Sequence, residues 1–237
     1  MLRGSGLRLG IIGLGSMGRH YVRLAAELSG LRLSALSDID PTAGEKIAAP
    51  LGLPFFPNYQ DLLEQVEAVC IITPAQTHFK VASDCLNAGK HVLLEKPFTV
   101  AAKTAQGLKA LAAEKNLTLA GSFLERFNPA FKKLLSLIRG EKLHGIDIKR
   151  FSPFPDRIGD ADVIFDMMIH DLDLLLHLTP DKIIDIKADG EAVRSGRLDR
   201  VVATFTHKSG IISRVHANRV FNDKVRQISV TTDKQIF

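Results

Sequence analysis

Five polar side chains interrupt the apolar segment of residues 163–178, and four of them recur at helical spacing and could carry acid–base chemistry. At i, i+4, i+7 and i+11 stand Asp166, His170, Asp173 and His177. At about 100° per residue, a helix would place all four within a stripe of about 60°. Polar groups on a buried helix must pair or face a cavity, and a carboxylate one turn from an imidazole can raise its basicity. The pattern predicts either a catalytic Asp166–His170 pair or a satisfied core network, with Asp171 turned away toward solvent or an interface.

A lysine that follows a predicted strand is the second candidate. Lys96 lies in Glu95-Lys96-Pro97, directly after the strand predicted for residues 91–94. In an open α/β sheet the carboxyl ends of the strands face the ligand crevice, so an amine there would face a bound ligand. A lone loop lysine is more commonly a surface residue, and the polar pattern of residues 163–178 is what favours the functional interpretation.

A glycine pattern near the beginning of the chain indicates a phosphate-binding turn. The segment reads Gly13-Leu14-Gly15-Ser16-Met17-Gly18. It follows an apolar strand and opens a helix, the context that makes this pattern specific. Gly13 permits the tight turn, Gly15 lets the backbone approach a pyrophosphate, and Gly18 lets helix and strand pack closely. Exposed N–H groups at the helix start, with Ser16 and Met17, would then bind the phosphates.

Asp38 stands twenty residues after Gly18, at the end of the second predicted strand. A carboxylate at this position accepts hydrogen bonds from the adenine ribose hydroxyls and repels a 2′-phosphate. The next residues are Ile39 and Asp40, so no arginine is there to bind such a phosphate. The sequence therefore favours NAD over NADP, although a solvated turn residue is the alternative interpretation of Asp38.

Elements that would position these residues follow two successive patterns. Continuous apolar strands alternate with helices up to about residue 120, which predicts a doubly wound parallel sheet, a Rossmann fold. After that, helical patterns at 128–139 and 163–178 are followed by strand-like runs with short connections, which predicts an α+β unit on a mostly antiparallel sheet. We expect a dinucleotide-binding domain at residues 1–120 and a substrate domain at residues 121–237.

Bulk composition is that of an ordinary globular protein. The 237 residues are 46% hydrophobic and 24% charged, and no apolar run reaches the ~18 residues of a membrane helix. The net charge of +5 is scattered and there is no Trp, whereas nucleic-acid binding favours a basic stripe with aromatic platforms. No signal-peptide pattern is visible at the N-terminus. We therefore expect a cytoplasmic protein that binds neither nucleic acid nor membrane, with a mild attraction for anionic ligands.

Metal and disulfide chemistry are not predicted. The polar stripe at 163–178 offers two imidazoles and carboxylates, but ligands on one helix need others from elsewhere. Cys70 falls in an apolar run and Cys85 in a helical one, which is typical of buried free thiols. A disulfide framework would require more cysteines and an export signal.

These motifs together resemble a known family. In order along the chain stand GLGSMG at 13–18, Asp38, Thr73-Pro74 with His78, Glu95-Lys96-Pro97, Glu125-Arg126-Phe127-Asn128-Pro129, and Asp166 four residues before His170. The chain resembles the Gfo/Idh/MocA oxidoreductases (glucose–fructose oxidoreductase, inositol dehydrogenase and relatives) over nearly its whole length.

The resemblance implies an oxidoreductase that moves hydride between a nicotinamide and a secondary carbinol of a sugar or cyclitol. It implies that Lys96 contacts both substrate and cofactor, that His170 is the general base and that Asp166 assists it. The resemblance also implies that the loop with Thr73, Pro74 and His78 contacts the cofactor, as does Glu95 of the Glu-Lys-Pro motif.

Three segments, ERFNP, SPFPDR and FDMMIHDLD, are most similar to the members that dehydrogenate UDP-N-acetylglucosamine. This implies a nucleotide-sugar substrate, with Arg126 and Arg157 as contacts to its anionic part. Ordinary surface arginines are the alternative. We also expect a homo-oligomer formed through the C-terminal sheet.

One departure from the family leaves other functions open. Family members usually run past 300 residues, so the second sheet is expected to lack its last strands. A non-catalytic NAD-binding sensor or partner protein is one alternative. A glycosidase that uses NAD in a transient redox step is another.

Overall fold

The computed structural model describes residues 6–155 and 161–237. They divide into two units, the first ending at Ser122 and the second beginning at Phe123. None of the helices described there is long and apolar enough to cross a membrane.

Among the described residues, six parallel strands form the sheet of the first unit. They are β1 (Leu7–Ile12), β2 (Leu31–Ser37), β3 (Phe55–Phe56), β4 (Ala68–Ile71), β5 (His91–Leu94) and β6 (Leu119–Gly121). The strand order is β3-β2-β1-β4-β5-β6, with every neighbouring pair parallel. The order reverses between β1 and β4, and such a switch point opens a ligand crevice at the carboxyl ends of the strands. The predicted doubly wound sheet is confirmed.

Helices connect these strands and cover both faces of the sheet. They are α1 (Ser16–Glu27), α2 (Pro41–Ala48), α3 (Tyr59–Leu62), α4 (His78–Asn87) and α5 (Ala102–Glu114). Two apolar clusters result, one centred on Ile71 and Leu86 and the other on Ile11 and Leu36. Cys70 and Cys85 lie in these clusters as buried free thiols, as predicted. A sheet buried on both faces explains why its strands are continuously apolar.

In the part of the second unit that the structure describes, five strands form the sheet. They are β7 (Leu143–Phe151), β8 (Ile183–Glu191), β9 (Arg200–His207), β10 (Ile212–Asn218) and β11 (Val225–Thr232). The order is β11-β7-β10-β9-β8, and all pairs are antiparallel except β7 with β10. The prediction of a mostly antiparallel sheet is confirmed.

One face of this second sheet packs against helices α6 (Pro129–Leu137) and α7 (Ile169–Leu178). Ile146 and Ile148 of β7, Phe205 of β9 and Val215 of β10 supply the apolar side chains of that face. The opposite face carries the alternate residues of each strand. Ion pairs of Asp147 with His216 and of Arg200 with Glu191 lie on that polar face.

Residues 163–178 do not form the single α-helix expected from their pattern. Ile164–Met168 adopt a π-helical turn, and α7 begins only at Ile169. Hydrogen bonds that close over five residues widen the turn relative to an α-helix. The constant 100° step therefore fails between Asp166 and His170, and the prediction of one regular α-helix over residues 163–178 is wrong.

Candidate active site

The glycine turn between β1 and α1 is packed as closely as its sequence pattern predicts. Gly13 has a φ of +96°, and a Cβ there would come within 2.5 Å of the carbonyl oxygen of Ile72 on the neighbouring strand's end. A Cβ on Gly18 would meet the carbonyl oxygen of Gly13 at 2.0 Å. Both glycines are thus required by the protein's own packing.

Gly15 differs, because a Cβ placed on it would meet nothing within 4 Å. It is the N-cap of α1, where no side chain caps the helix and no acidic residue occupies the first turn. The first N–H groups of a helix have no partner within the helix and attract anions. Beside them a cavity of about 530 Å³ opens between the ends of β1, β2 and β4. This open cradle fits a pyrophosphate.

Asp38 lines the same cavity, and its carboxylate also fastens the glycine turn. The backbone N–H of Leu14 donates to Oδ2 at 2.6 Å, and that of Asp40 donates to Oδ1 at 2.9 Å. Each carboxylate oxygen retains a further acceptor site. The bond to Leu14 was not anticipated from the sequence.

The loop after β4 brings Thr73 and Pro74 to the cavity wall. His78, at the start of α4, lies beneath this loop with only 1% of its surface exposed. One ring nitrogen lies 2.8 Å from the carbonyl oxygen of Thr73 and the other 2.8 Å from that of Pro97. His78 therefore joins the loop after β4 to the loop after β5.

Lys96 directly follows Glu95 at the end of β5, and the Glu95 carboxylate holds the backbone there. The Lys96 N–H donates to Glu95 Oε2 at 2.8 Å, and the Tyr21 hydroxyl of α1 donates to Oε1 at 2.7 Å. Tyr21 Oη also lies 2.5 Å from Ser122 Oγ. Burial, and the nearby carboxylate of Glu95, raise the pKa of Tyr21, so the phenol remains a donor. Glu95 thus links the glycine-turn helix to the lysine loop.

In the second unit, Asp166 lies in the π-helical turn and His170 in the first turn of α7. The Asp162 carboxylate caps this segment by accepting from the N–H groups of Ile164 and Phe165, at 3.0 and 3.1 Å. Short π-helical turns occur frequently at functional sites. Both Asp166 and His170 are partly exposed.

Asp171 is buried, and the expectation that it faces solvent or an interface is wrong. Its side chain is 2% exposed and accepts from Nε and Nη2 of Arg150, at 2.8 and 2.7 Å. Arg150 Nη1 also donates to Glu125 Oε1 at 2.9 Å. Although burial opposes it, Arg150 holds the pKa of Glu125 below its usual range, and the nearby imidazole of His170 adds to this effect. Glu125 therefore belongs electrostatically to the surroundings of His170.

Arg126, predicted to contact substrate, makes a bidentate pair with Asp173 through Nε and Nη2. Its side chain remains 44% exposed. His177 is exposed at the far end of α7, with its ring tilted toward that of Phe131. Arg157, the other predicted contact, lies outside the described residues.

Sequence reasoning missed Tyr21 and Arg150, and it named Glu125 only as part of the motif at 125–129, without a role. Each acts through a partner distant in sequence, so no local pattern could reveal it. The one available signal was a charged residue within an apolar strand pattern, as at Arg150. Across residues 6–155 and 161–237, no three His, Cys, Asp or Glu side chains are grouped to hold a metal ion.

A Rossmann sheet with an open glycine cradle at its switch point defines a dinucleotide-binding protein. Residues 7–123 match the model of the oxidoreductase family with an NAD-binding Rossmann fold, and residues 148–237 match the GFO/IDH/MocA C-terminal domain. The chain belongs to the GFO/IDH/MocA family of oxidoreductases. The family resemblance of the sequence motifs is thereby confirmed.

Among curated relatives, the UDP-N-acetylglucosamine 3-dehydrogenase of Acidithiobacillus ferrooxidans is 36% identical over 224 residues, which cover 94% of this chain and 71% of the relative. An inositol 2-dehydrogenase of Mycolicibacterium smegmatis is 31% identical, covering 77% of this chain and 55% of its own length.

Solved structures agree with this assignment. That of the Acidithiobacillus ferrooxidans dehydrogenase matches with a TM-score of 0.91 and 35% identity, over 97% of this chain and 75% of that one. A scyllo-inositol dehydrogenase of Lactobacillus casei, with bound NAD(H) and scyllo-inositol, has the same fold with a TM-score of 0.89 at 21% identity, covering 98% of this chain and 76% of that one.

Proposed function

We propose that this oxidoreductase uses NAD(H) to oxidise or reduce a secondary hydroxyl of a sugar, cyclitol or nucleotide sugar, with a UDP-N-acetylglucosamine-like compound as the preferred substrate. The observation that supports dinucleotide binding is the open turn at Gly15, where an added Cβ would meet no other atom within 4 Å. The names of the relatives, a UDP-N-acetylglucosamine 3-dehydrogenase and an inositol 2-dehydrogenase, support the substrate class.

We propose NAD rather than NADP as the cofactor because of the carboxylate of Asp38. Two backbone N–H groups hold this carboxylate at the cavity wall, where it would accept from ribose hydroxyls. A 2′-phosphate placed against it would meet like charge. The next two residues, Ile39 and Asp40, offer no cation to relieve that repulsion.

Residues of the cofactor site are proposed from this geometry. Gly13, Gly15 and Gly18 shape the turn; Ser16 and Met17 open α1 beside the phosphates. The loop with Thr73 and Pro74 forms a wall of the same cavity, supported from below by His78. Glu95 acts on the cofactor site indirectly, because its carboxylate holds the backbone of Lys96.

The catalytic residues are proposed to be Lys96, Asp166 and His170. When bound, a nicotinamide supplies a carbon that accepts or gives hydride. His170 would take the hydroxyl proton during oxidation, since an imidazole titrates near working pH. Asp166 would orient the imidazole, and the ammonium of Lys96 would donate a hydrogen bond to the same substrate oxygen and stabilise its developing negative charge.

Arg126 is proposed to contact the anionic part of a nucleotide sugar, together with Arg157. The pair with Asp173 uses Nε and Nη2 of Arg126, so Nη1 keeps donors for a ligand. Arginine suits this role because its planar fork binds phosphate oxygens two at a time.

We further propose self-association through the polar outer face of the second sheet, which sedimentation or light scattering would test.

The test of the function is turnover of purified protein with NAD and a panel of UDP-sugars, free sugars and inositols. Steady formation of NADH with UDP-N-acetylglucosamine or a close relative is the expected result. NADH binding without turnover of any compound would favour the non-catalytic sensor. Bond cleavage without accumulation of NADH would favour a glycosidase with a transient redox step.

A further inference from the structure

We infer that Arg219 is a positioning residue that holds Asp166 and its π-helical turn in place, an inference that rests on the proposed catalytic role of Asp166. Arg219 directly follows β10 and is 1% exposed, the largest of the fully buried side chains. Burial of a guanidinium is costly unless its donors find acceptors, so each of its contacts has energetic weight.

The first contact of Arg219 is with the carboxylate of Asp199. Arg219 Nε donates to Asp199 Oδ1 at 2.9 Å, and the Arg219 backbone N–H donates to the carbonyl oxygen of Asp199 at 3.0 Å. Nη2 donates to Ser195 Oγ at 3.1 Å. The guanidinium is therefore fixed to the segment 193–199, which leads into β9.

Asp199 itself is held from several directions. Its Oδ2 accepts from three successive backbone N–H groups, those of Val193, Arg194 and Ser195, at 3.0, 2.7 and 2.9 Å. Although burial opposes it, the hydrogen bonds from Ser195, the Arg194 N–H and Arg219 hold the pKa of Asp199 far below its usual range. Arg219 thus has an ionised partner that cannot move away.

The remaining nitrogen of Arg219 reaches the segment that precedes α7. Nη1 donates to the carbonyl oxygen of Ala161 at 3.0 Å and lies 4.0 Å from Asp166 Oδ2. The same segment is tied once more to 193–199, because the Val163 N–H donates to the carbonyl oxygen of Leu198 at 2.9 Å. One rigid cation therefore connects Asp199, Ala161 and Asp166.

This arrangement does more than close the 193–199 loop. Asp199 already binds that loop through its three N–H groups, without help from Arg219. The branch toward Ala161 and Asp166 adds nothing to the loop, but it fixes the turn on which Asp166 stands and attracts its carboxylate. A lysine could not make these contacts together, because it lacks the planar fork of donors.

The experiment compares Arg219→Lys with Arg200→Lys, an exposed arginine on β9 whose carboxylate partner is Glu191. Hydrogen exchange should accelerate at residues 161–168 in Arg219→Lys and remain as in the wild type in Arg200→Lys. In turnover assays, we expect kcat to fall about 10- to 100-fold in Arg219→Lys with unchanged NADH affinity, since small misplacements of catalytic groups cost rates of this order.

A double-mutant cycle with Asp166→Asn completes the test. Once Asp166 is lost, Arg219→Lys should lower kcat by less than threefold, because both changes disable one element. Unchanged exchange at 161–168, or fully additive losses of kcat, would overturn the inference. A wild-type protein without turnover would remove the proposed function, and the exchange measurement would still decide whether Arg219 holds the turn.

Discussion

Arg150 of β7 and Asp171 of α7 form a bidentate ion pair in which both side chains are less than a tenth exposed. The pair fixes the first turn of α7 to the sheet, one residue after His170. Arg150 also binds Glu125, so a single guanidinium ties three segments of the second unit together. The placement of His170 therefore depends on a strand residue that makes no contact with cofactor in the proposed function.

Breaking that pair should strongly destabilise the second unit. Asp171→Asn would leave the Arg150 charge buried with one carboxylate fewer, and we expect a loss of about 3–5 kcal/mol in the free energy of unfolding. Denaturant unfolding measures it. The matched control is Glu191→Gln, whose exposed pair with Arg200 should contribute less than about 1 kcal/mol. Equal losses of unfolding free energy in the two variants would show that the buried pair contributes no more to stability than the exposed pair.

Two glycines of the same turn should respond oppositely to added side chains. Gly15→Val should leave the melting temperature within a few degrees of the wild type but weaken NADH binding more than tenfold, because its Cβ enters open space where the pyrophosphate is proposed to lie. Gly18→Ala should lower the melting temperature markedly, because its Cβ would overlap the Gly13 carbonyl. NADH titration by fluorescence and thermal melts separate the two. Normal NADH affinity in folded Gly15→Val would contradict the cradle.

Asp38 should set the choice of cofactor. Asp38→Ser removes the charge that would repel a 2′-phosphate, so the ratio of NADH to NADPH affinity should fall at least tenfold. Asp40→Ala is the control: it removes the cap of α2, at a cost of about 1 kcal/mol, without touching that ratio. Preferential binding of NADPH by the wild type would refute the assignment.

Acid stability should depend on Asp199. Its pKa is lowered in the folded chain, so its contribution is full above the unfolded value of about 3.9 and is lost as pH falls below it. The free energy of unfolding of the wild type should therefore exceed that of Asp199→Asn at pH 7, and the gap should narrow as the pH falls toward 2. Asp189→Asn, on the exposed strand β8, serves as control. A difference in unfolding free energy between wild type and Asp199→Asn that does not change with pH would show that Asp199 does not contribute to acid stability in this way.

The two sheets could be predicted from the sequence because their strands appear in it as apolar runs. It missed β3, since Phe55–Phe56 is too short to form a pattern. It misplaced Asp171 because it assumed that the side of α7 opposite His170 and Asp173 faces solvent or an interface, whereas that side faces Arg150 of the second sheet.

Candidate residues were found where chemistry and local context coincide, as at Gly13, Gly15 and Gly18. The residues that hold these candidates in place were not found, because each of them is recognised only through the partner that it binds. Tyr21 binds Glu95 from 74 positions away, and Arg150 binds Asp171 from 21. No periodicity within one element carries such information.

The central claim is that His170 acts as the base in a redox reaction on a hydroxyl group. The most direct measurement is the turnover of His170→Ala with NAD and the best substrate of the panel, together with its affinity for NADH. The control variant is His177→Ala, which changes an exposed histidine on the same helix. We predict unchanged NADH affinity, a loss of about 10²- to 10⁴-fold in kcat for His170→Ala, and normal turnover for His177→Ala. Near-normal turnover in His170→Ala would contradict the account.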